Sequence, residues 1–218
     1  METARIGKVI SKLETITKQW SLPVVALMAQ ENKNPFAILV VSILSLRTKE
    51  EQTAPAAKKL LSLACTSKEM AKLSENTIAK TIYPVGFYRN KARDILEISR
   101  KLEAEYNGVV PSSIDELLCF KGVGRKTANL VVIVAYKKAG ICVDIHVHRI
   151  SNRLGFVATK TPDETEFALR GKLPQKHWHK YNPLMVAFGR NICTPTSPHC
   201  SICPINTLCE KKGVTKNR

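Results

Sequence analysis

Acidic residues and long apolar runs are both scarce in this 218-residue chain. No apolar stretch approaches the ~18 residues that a membrane-spanning helix needs, so we expect no membrane association. Only 18 Asp and Glu oppose 34 Lys and Arg, which leaves a formal net charge of +16. An excess of this size is typical of proteins that bind a polyanion, and nucleic acid is the leading candidate.

The chain also lacks sustained alternation of apolar and polar residues between hairpin turns, which excludes a β-sheet protein. Apolar residues instead recur at steps of three and four, which predicts an all-α fold. Two helix starts are predicted by capping boxes, one at Ser113 with Glu116 and one at Thr161 with Glu164. Pro162 at the first helical position strengthens the second box.

No signal peptide precedes the chain, so we expect a reducing compartment, without persistent disulfides, in a prokaryotic cytoplasm. Three cysteines, Cys65, Cys119 and Cys142, lie among apolar residues and are predicted to pack in the core.

Four further cysteines crowd the C-terminal part of the chain with the spacing C-x6-C-x2-C-x5-C. They are Cys193, Cys200, Cys203 and Cys209. Thiolates are soft ligands that select iron–sulfur clusters or zinc. Zinc sites more often use two separated C-x2-C pairs. One continuous loop therefore favours a bulkier cluster, with zinc and a disulfide or unligated thiols left open as alternatives.

A glycine-containing turn between two predicted helices is the candidate ligand site in the middle of the chain. The residues Gly122, Val123 and Gly124 precede Arg125 and Lys126, which begin a long apolar helix. Glycines let a ligand approach the backbone, and the helix N-terminus is the positive end of its dipole. The turn therefore suits a phosphate, although G-x-G alone is also common in simple tight turns.

Lys126 and Asp144 are the candidate catalytic pair. The helix dipole and the neighbouring cations disfavour a protonated Lys126, and a neutral lysine is a nucleophile that can form a Schiff base. A phosphate-binding lysine is the alternative. Asp144 suits the N-cap of the helix that follows, or a partner for Lys126. His146 and His148 are expected to be structural, hydrogen-bonded groups.

With these motifs together, the chain resembles the endonuclease III family of helix-hairpin-helix DNA glycosylases from about residue 35 to residue 209. The resemblance implies two α-helical lobes with DNA in the cleft. A six-helix lobe with the helix-hairpin-helix motif would span residues 35–139, and residues 1–34 plus 140–218 would form the second. The four cysteines of the loop at 193–209 would then hold a [4Fe-4S] cluster.

The same resemblance implies the activity of a bifunctional DNA N-glycosylase and abasic-site lyase. Lys126 would be the nucleophile and Asp144 the catalytic carboxylate, acting on a nucleotide flipped out of duplex DNA. Phe87, in the position of the family's wedge loop, would insert between base steps, and Arg47, in a second inserting segment, would contact the orphaned base. We expect a monomer that removes oxidised pyrimidines and cleaves abasic sites.

Two other functions stay open at the level of the sequence. A monofunctional mismatch glycosylase of the same superfamily would share the hairpin and the cluster, but such proteins commonly lack a lysine at the position of Lys126. A non-catalytic iron–sulfur DNA-binding protein would need neither Lys126 nor Asp144.

Overall fold

The computed structural model of the chain describes residues 3–20 and 34–218, and every regular element in these ranges is a helix. This confirms the predicted all-α fold. In chain order the α-helices are α1 (Thr3–Thr17), α2 (Pro35–Ser45), α3 (Glu50–Leu63), α4 (Ser67–Met70), α5 (Glu75–Ile82), α6 (Tyr88–Glu105), α7 (Ile114–Leu118), α8 (Arg125–Tyr136), α9 (Ile145–Arg153), α10 (Pro162–Lys172) and α11 (Trp178–Asn191), with short 3-10 helices at Gln175–His177 and Asn206–Leu208.

The chain folds into two compact units, and one boundary between them lies between Lys138 and Ala139. The described part of the first, residues 34–138, is called the hairpin unit. The second combines residues 3–20 with residues 139–218 and is called the cluster unit. The predicted N-terminal boundary between the lobes, between residues 34 and 35, adjoins residues 21–33, which lie outside the described residues.

The hairpin unit is built around α2, which is apolar on all its faces and buried from Phe36 to Leu44. The Asn34 side chain caps this helix by accepting a hydrogen bond from the Phe36 amide at 2.9 Å. Helices α3, α6 and α8 pack around α2. An amphipathic helix such as α6 buries its apolar stripe in this core and presents its charged face to solvent.

The cluster unit packs α9 against α10 and α11, and α1 against α11. Its core contains the large, fully buried side chains of Phe156, Tyr181 and Phe188. The N-terminal helix is also tied to the end of the cysteine loop, because Nε of Arg5 donates to the Leu208 carbonyl at 2.9 Å. None of the helices in the described ranges is long and apolar enough to cross a membrane.

The two predicted capping boxes have different outcomes. At Thr161 the side chain accepts a hydrogen bond from the Glu164 amide at 3.2 Å, and α10 begins at Pro162 as predicted. At Ser113 the predicted helix start is correct, because this residue is the N-cap of α7, but its side chain makes no capping hydrogen bond. A helix of only five residues gains little from a cap, because nearby tertiary contacts hold it in place.

Candidate functional site

The glycine turn joins α7 to α8 and forms a helix-hairpin-helix. Phe120 and Val123 point into the core of the hairpin unit and are almost fully buried, so the turn is anchored from inside. Gly124 is the N-cap of α8, and the first intrahelical hydrogen bond runs from the Ala128 amide to the Gly124 carbonyl at 2.9 Å. The amides before Ala128 therefore point out of the helix N-terminus, where an anion is favoured.

The two glycines of the turn are present for different reasons. Gly122 has φ +81°, and a Cβ there would lie 2.9 Å from Oδ2 of Asp94. The fold therefore requires glycine at this position. Gly124 has an ordinary extended conformation with φ −96°, and a Cβ there would meet no protein atom within 4 Å. Open space beside an exposed glycine leaves room for an external ligand to approach the backbone.

Arg125 and Lys126, half-buried in the first turn of α8, lie beside this open surface. Lys121, on the other side of the turn, is exposed and forms an ion pair with Glu97 at 3.3 Å. Asp94 lies behind the turn, and its burial raises the pKa of the carboxyl group.

Asp144 belongs to the cluster unit, whereas Lys126 belongs to the hairpin unit. Asp144 is the N-cap of α9, and its Oδ1 accepts hydrogen bonds from the amides of His146 and Val147, both at 2.9 Å. The predicted capping role is therefore present. Both capping bonds use the same carboxylate oxygen, Oδ1.

Arg47 and Phe87 come together at one edge of the hairpin unit. The guanidinium of Arg47 lies 5.7 Å from the centroid of the Phe87 ring, within the range of a cation–π contact. Phe87 is 60% exposed, so it is not a core aromatic. Both residues have left-handed backbones, with φ 50° for Arg47 and 56° for Phe87, which is uncommon for non-glycine residues.

Sequence reasoning missed Lys91, whose side chain binds the residues on both sides of Arg47. Its side chain is buried, and Nζ donates to the Leu44 carbonyl at 2.9 Å, the Leu46 carbonyl at 2.5 Å and Oγ1 of Thr48 at 2.9 Å. Burial lowers the pKa of Lys91 to about 8. The sequence does not predict the burial of Lys91, since a lysine in an amphipathic helix usually lies on the solvent face.

The four cysteines of the C-terminal loop line one recess in the cluster unit. They are Cys193, Cys200, Cys203 and Cys209. The recess has about 390 Å³ of space free of atoms, counting the part open to solvent, and apolar side chains such as Phe188 and Ile205 form its wall. Val214 also lines it, so the chain after the last cysteine folds back over the loop.

The donor set of this recess suits an iron–sulfur cluster, because four thiols from one loop line it and thiolates are the ligands of such clusters. Burial raises the pKa of the Cys203 thiol to about 11 and also raises that of Cys209. Such thiols need a cationic centre to become thiolates, as an iron–sulfur core provides.

Two arginines of α9, the buried Arg153 and the half-buried Arg149, hold the cysteine loop to this helix. Arg153 donates to the Thr194 carbonyl at 2.7 Å, to the Pro195 carbonyl at 2.6 Å and to Sγ of Cys193 at 3.3 Å. Arg149 donates to the Cys193 carbonyl at 2.9 Å. The loop geometry is thus fixed by cations of α9 as well as by its own turns.

The remaining candidates have structural surroundings. Nδ1 of His146 lies 3.1 Å from the Arg149 guanidinium, and Nδ1 of His148 lies 2.7 Å from Oγ1 of Thr165, which agrees with the structural role expected for both. The predicted burial is correct for Cys142 and wrong for Cys65 and Cys119, both of which are exposed. Their apolar neighbours in sequence point inward while these two side chains point to solvent.

Comparisons with known proteins agree with this fold and site. Residues 40–175 match the family described as HhH-GPD superfamily base excision DNA repair protein, and residues 193–209 match the iron–sulfur binding domain of endonuclease III. Endonuclease III of Thermotoga maritima is 48% identical over 190 residues, which cover 85% of this chain and 89% of that protein. The mouse endonuclease III-like protein 1 is 40% identical over 177 residues, covering 80% of this chain and 59% of the relative.

Solved structures give the same result. A trapped endonuclease III–DNA covalent intermediate with an estranged adenine superposes with a TM-score of 0.86 at 32% identity, covering 97% of both chains. A thermostable thymine-DNA glycosylase has a TM-score of 0.82 at 23% identity, covering 95% of this chain and 96% of that one, a likeness of fold.

The fold, the hairpin and the cysteine loop define a helix-hairpin-helix DNA glycosylase of base excision repair. Within that class, the chain belongs to the endonuclease III family. It has the family's [4Fe-4S] cluster domain, with all four cysteines present.

Proposed function

We propose that this chain is a bifunctional glycosylase that excises damaged bases and then cleaves the DNA strand, with Lys126 as the nucleophile. The observation that carries the proposal is the position of Lys126. It lies in the first turn of α8, directly beside a glycine turn whose open side has room for a DNA backbone.

The hairpin would hold the DNA strand while Lys126 acts on it. Amides at the start of α8, with Gly122, Val123 and Gly124 forming the turn and Arg125 supplying charge, would bind a phosphate near the damaged nucleotide. Phe87 and Arg47 would occupy the gap left by the flipped nucleotide, because an exposed aromatic ring can insert between base steps.

The chemistry then follows in balanced steps. The Nζ lone pair of Lys126 attacks the sugar C1′, and the base departs with the electron pair of the glycosidic bond and gains a proton. Asp144 stabilises the developing positive charge on the sugar and assists proton movement. The Nζ group then loses a proton, and the C1′–O4′ bond breaks with its electron pair going to O4′, which takes up a proton, so that the opened sugar carries an imine at C1′. This imine acidifies the C2′ proton. Its removal expels the 3′ phosphate with the C3′–O electron pair, and water then releases Lys126.

The cluster has no step in this scheme. When bound, its iron would join the four thiolates of the loop at residues 193–209 and so hold that loop in one conformation.

The finer specificity rests on the family resemblance. We propose oxidised pyrimidines in duplex DNA as the damaged bases, a monomer as the active form, and nucleoid DNA in a prokaryotic cytoplasm as its location. The hairpin unit and the cluster unit would correspond to the two lobes of the family.

Borohydride trapping tests the central step, because borohydride reduces an imine to a stable amine. The protein is incubated with a duplex containing thymine glycol or an abasic site, and covalent adducts are counted on a denaturing gel. Lys126→Gln should abolish the adduct. Lys137→Gln is the matched control, since this exposed lysine lies at the opposite end of the same helix and loses the same charge.

Base release without an adduct in the unmodified protein would replace this proposal with a monofunctional glycosylase. Binding to damaged DNA without base release or strand cleavage would indicate a binding protein. A panel with oxidised pyrimidines, 8-oxoguanine and a G:T mismatch, compared by the rate of base release, tests the substrate class.

A further inference from the structure

The end of α2 and the start of α6 are joined through one buried lysine. Lys91 lies in the first turn of α6, and its ammonium group reaches the carbonyls of Leu44 and Leu46 and the hydroxyl of Thr48. An ammonium group has three hydrogens, and each of these oxygens is within 2.9 Å of Nζ. Lys91 thereby fixes the segment after α2 to α6.

A second connection links the same segment to the turn before α6. Oγ1 of Thr48 accepts a hydrogen bond from the Gly86 amide at 3.2 Å. A Cβ at Gly86 would lie 2.6 Å from the Arg47 carbonyl oxygen, so the two backbones are in direct contact and glycine is required there. The segment at residues 46–48 and the turn at residues 84–87 therefore form one junction.

This junction carries Arg47 and Phe87 on its surface. Both side chains are exposed and both backbones are left-handed, a conformation that is unfavourable for a non-glycine residue. Such residues persist only where the surroundings hold them, and they cluster at functional sites. Burying a lysine is also unfavourable, as its lowered pKa indicates. Two left-handed backbones and one buried lysine, each energetically unfavourable, therefore lie together at the exposed cation–π pair of Arg47 and Phe87.

We propose that Lys91 is a positioning residue that holds Arg47 and Phe87 in the geometry needed to enter the gap in the DNA. This inference rests on the proposed function, which assigns these two side chains to the gap. Lys91 does not touch DNA in this scheme. It acts through the backbone carbonyls of Leu44 and Leu46 and through Thr48. The guanidinium of Arg47 and the ring of Phe87 are then already in contact when the protein binds DNA.

The test uses a duplex with 2-aminopurine opposite a stable abasic analogue, because 2-aminopurine fluorescence rises when the base leaves the stack. Lys91→Met keeps most of the side-chain stem and removes the ammonium. It should lower the fluorescence rise to the level of Arg47→Ala. On a separate duplex containing thymine glycol, Lys91→Met should also slow base release at saturating protein about 10- to 100-fold. A small misplacement of reacting groups has an effect of this size.

Variants at two other positions, Thr48 and Gly86, also change the junction. Thr48→Val removes the shared hydroxyl and should reproduce the defect, whereas the conservative Thr48→Ser should restore both fluorescence and rate. Gly86→Ala pushes against the Arg47 carbonyl and should act like Thr48→Val. If Lys91→Met does not fold, these variants carry the test. Arg100→Met is the matched control, because Arg100 is exposed on the same helix.

The outcomes separate this inference from the proposed function. Wild-type fluorescence and rate in folded Lys91→Met or Thr48→Val, with the rise lost in Arg47→Ala and Phe87→Ala, would overturn the positioning role and leave the gap-filling role intact. If the double variant Arg47→Ala/Phe87→Ala keeps the full rise, the gap-filling role fails and this inference fails with it. A lower melting temperature alone, with normal fluorescence and rate, indicates a purely structural lysine and also overturns the inference.

Discussion

The two glycines of the hairpin turn show how one residue type serves the fold at one position and leaves space for a ligand at another. Gly122 is held in a left-handed conformation against Asp94, whereas Gly124 is extended with open space around it. Only the first is required by the protein's own packing. The second is free of internal constraint, so a substitution there should be felt mainly by whatever binds outside.

We therefore predict opposite effects for alanine at these positions. Gly122→Ala should lower the free energy of unfolding by about 1–3 kcal/mol, through backbone strain and contact with Asp94. Gly124→Ala should cost less than ~1 kcal/mol, because alanine is only a poorer N-cap, but it should weaken binding to duplex DNA. Urea denaturation and fluorescence anisotropy measure the two effects. Equal loss of stability in both variants would contradict this division.

At the scale of helices, the start of α9 combines a structural and a proposed chemical role in one carboxylate. Asp144 caps the helix through Oδ1, and the mechanism needs the charge of the same group. The cysteine loop is likewise attached to α9, through Arg153 at the other end of the helix. One short helix thus organises both the carboxylate and the cluster loop.

Two substitutions at Asp144 should separate its roles. Asn is as good an N-cap as Asp, so Asp144→Asn should change the free energy of unfolding by less than ~0.5 kcal/mol. It should nevertheless slow base release strongly, because the charge is gone. Asp144→Ala should add a loss of about 1 kcal/mol of stability. Thermal melts and single-turnover assays give the comparison; an Asn variant that is fully active would rule out the electrostatic role.

Removing the guanidinium of Arg153 should loosen the cluster loop. Arg153→Met leaves the Thr194 and Pro195 carbonyls without their donor, at a cost of about 1–3 kcal/mol. We expect faster bleaching of the visible absorbance of the cluster in the presence of an iron chelator. Lys172→Met, an exposed residue of the same unit, is the control for loss of charge. Identical bleaching rates in the two variants would show that Arg153 does not retain the loop.

For the molecule as a whole, the net charge of +16 attracts DNA before any specific contact forms. Neutralising phosphates releases counterions, so affinity falls with salt by a logarithmic slope of about −0.9 per phosphate contact. Some of the positive charge is already compensated within the protein, as in the pairs Lys121–Glu97 and Lys180–Glu14.

We predict that affinity for an undamaged duplex decreases ~10³-fold or more between 50 and 200 mM salt, as expected for six or more phosphate contacts. Arg125→Gln should reduce the slope by about one contact if this residue binds a phosphate. Lys12→Gln, an exposed lysine on α1, removes the same charge and is the comparison. An unchanged slope in Arg125→Gln would remove Arg125 from the phosphate contacts.

The sequence by itself determined the all-α fold, the cap at Asp144, the start of α10 and the cluster spacing. Each depends on residues close together in the chain, because helix periodicity, capping and ligand spacing are short-range. The burial of Lys91, the exposure of Cys65 and Cys119, and the contact between Gly122 and Asp94 were decided only by the tertiary structure. Lys91 and Gly122 meet partners far away in sequence, and the exposure of a cysteine depends on which distant elements pack beside it. A local pattern cannot indicate which distant carbonyl, carboxylate or open surface a side chain will meet.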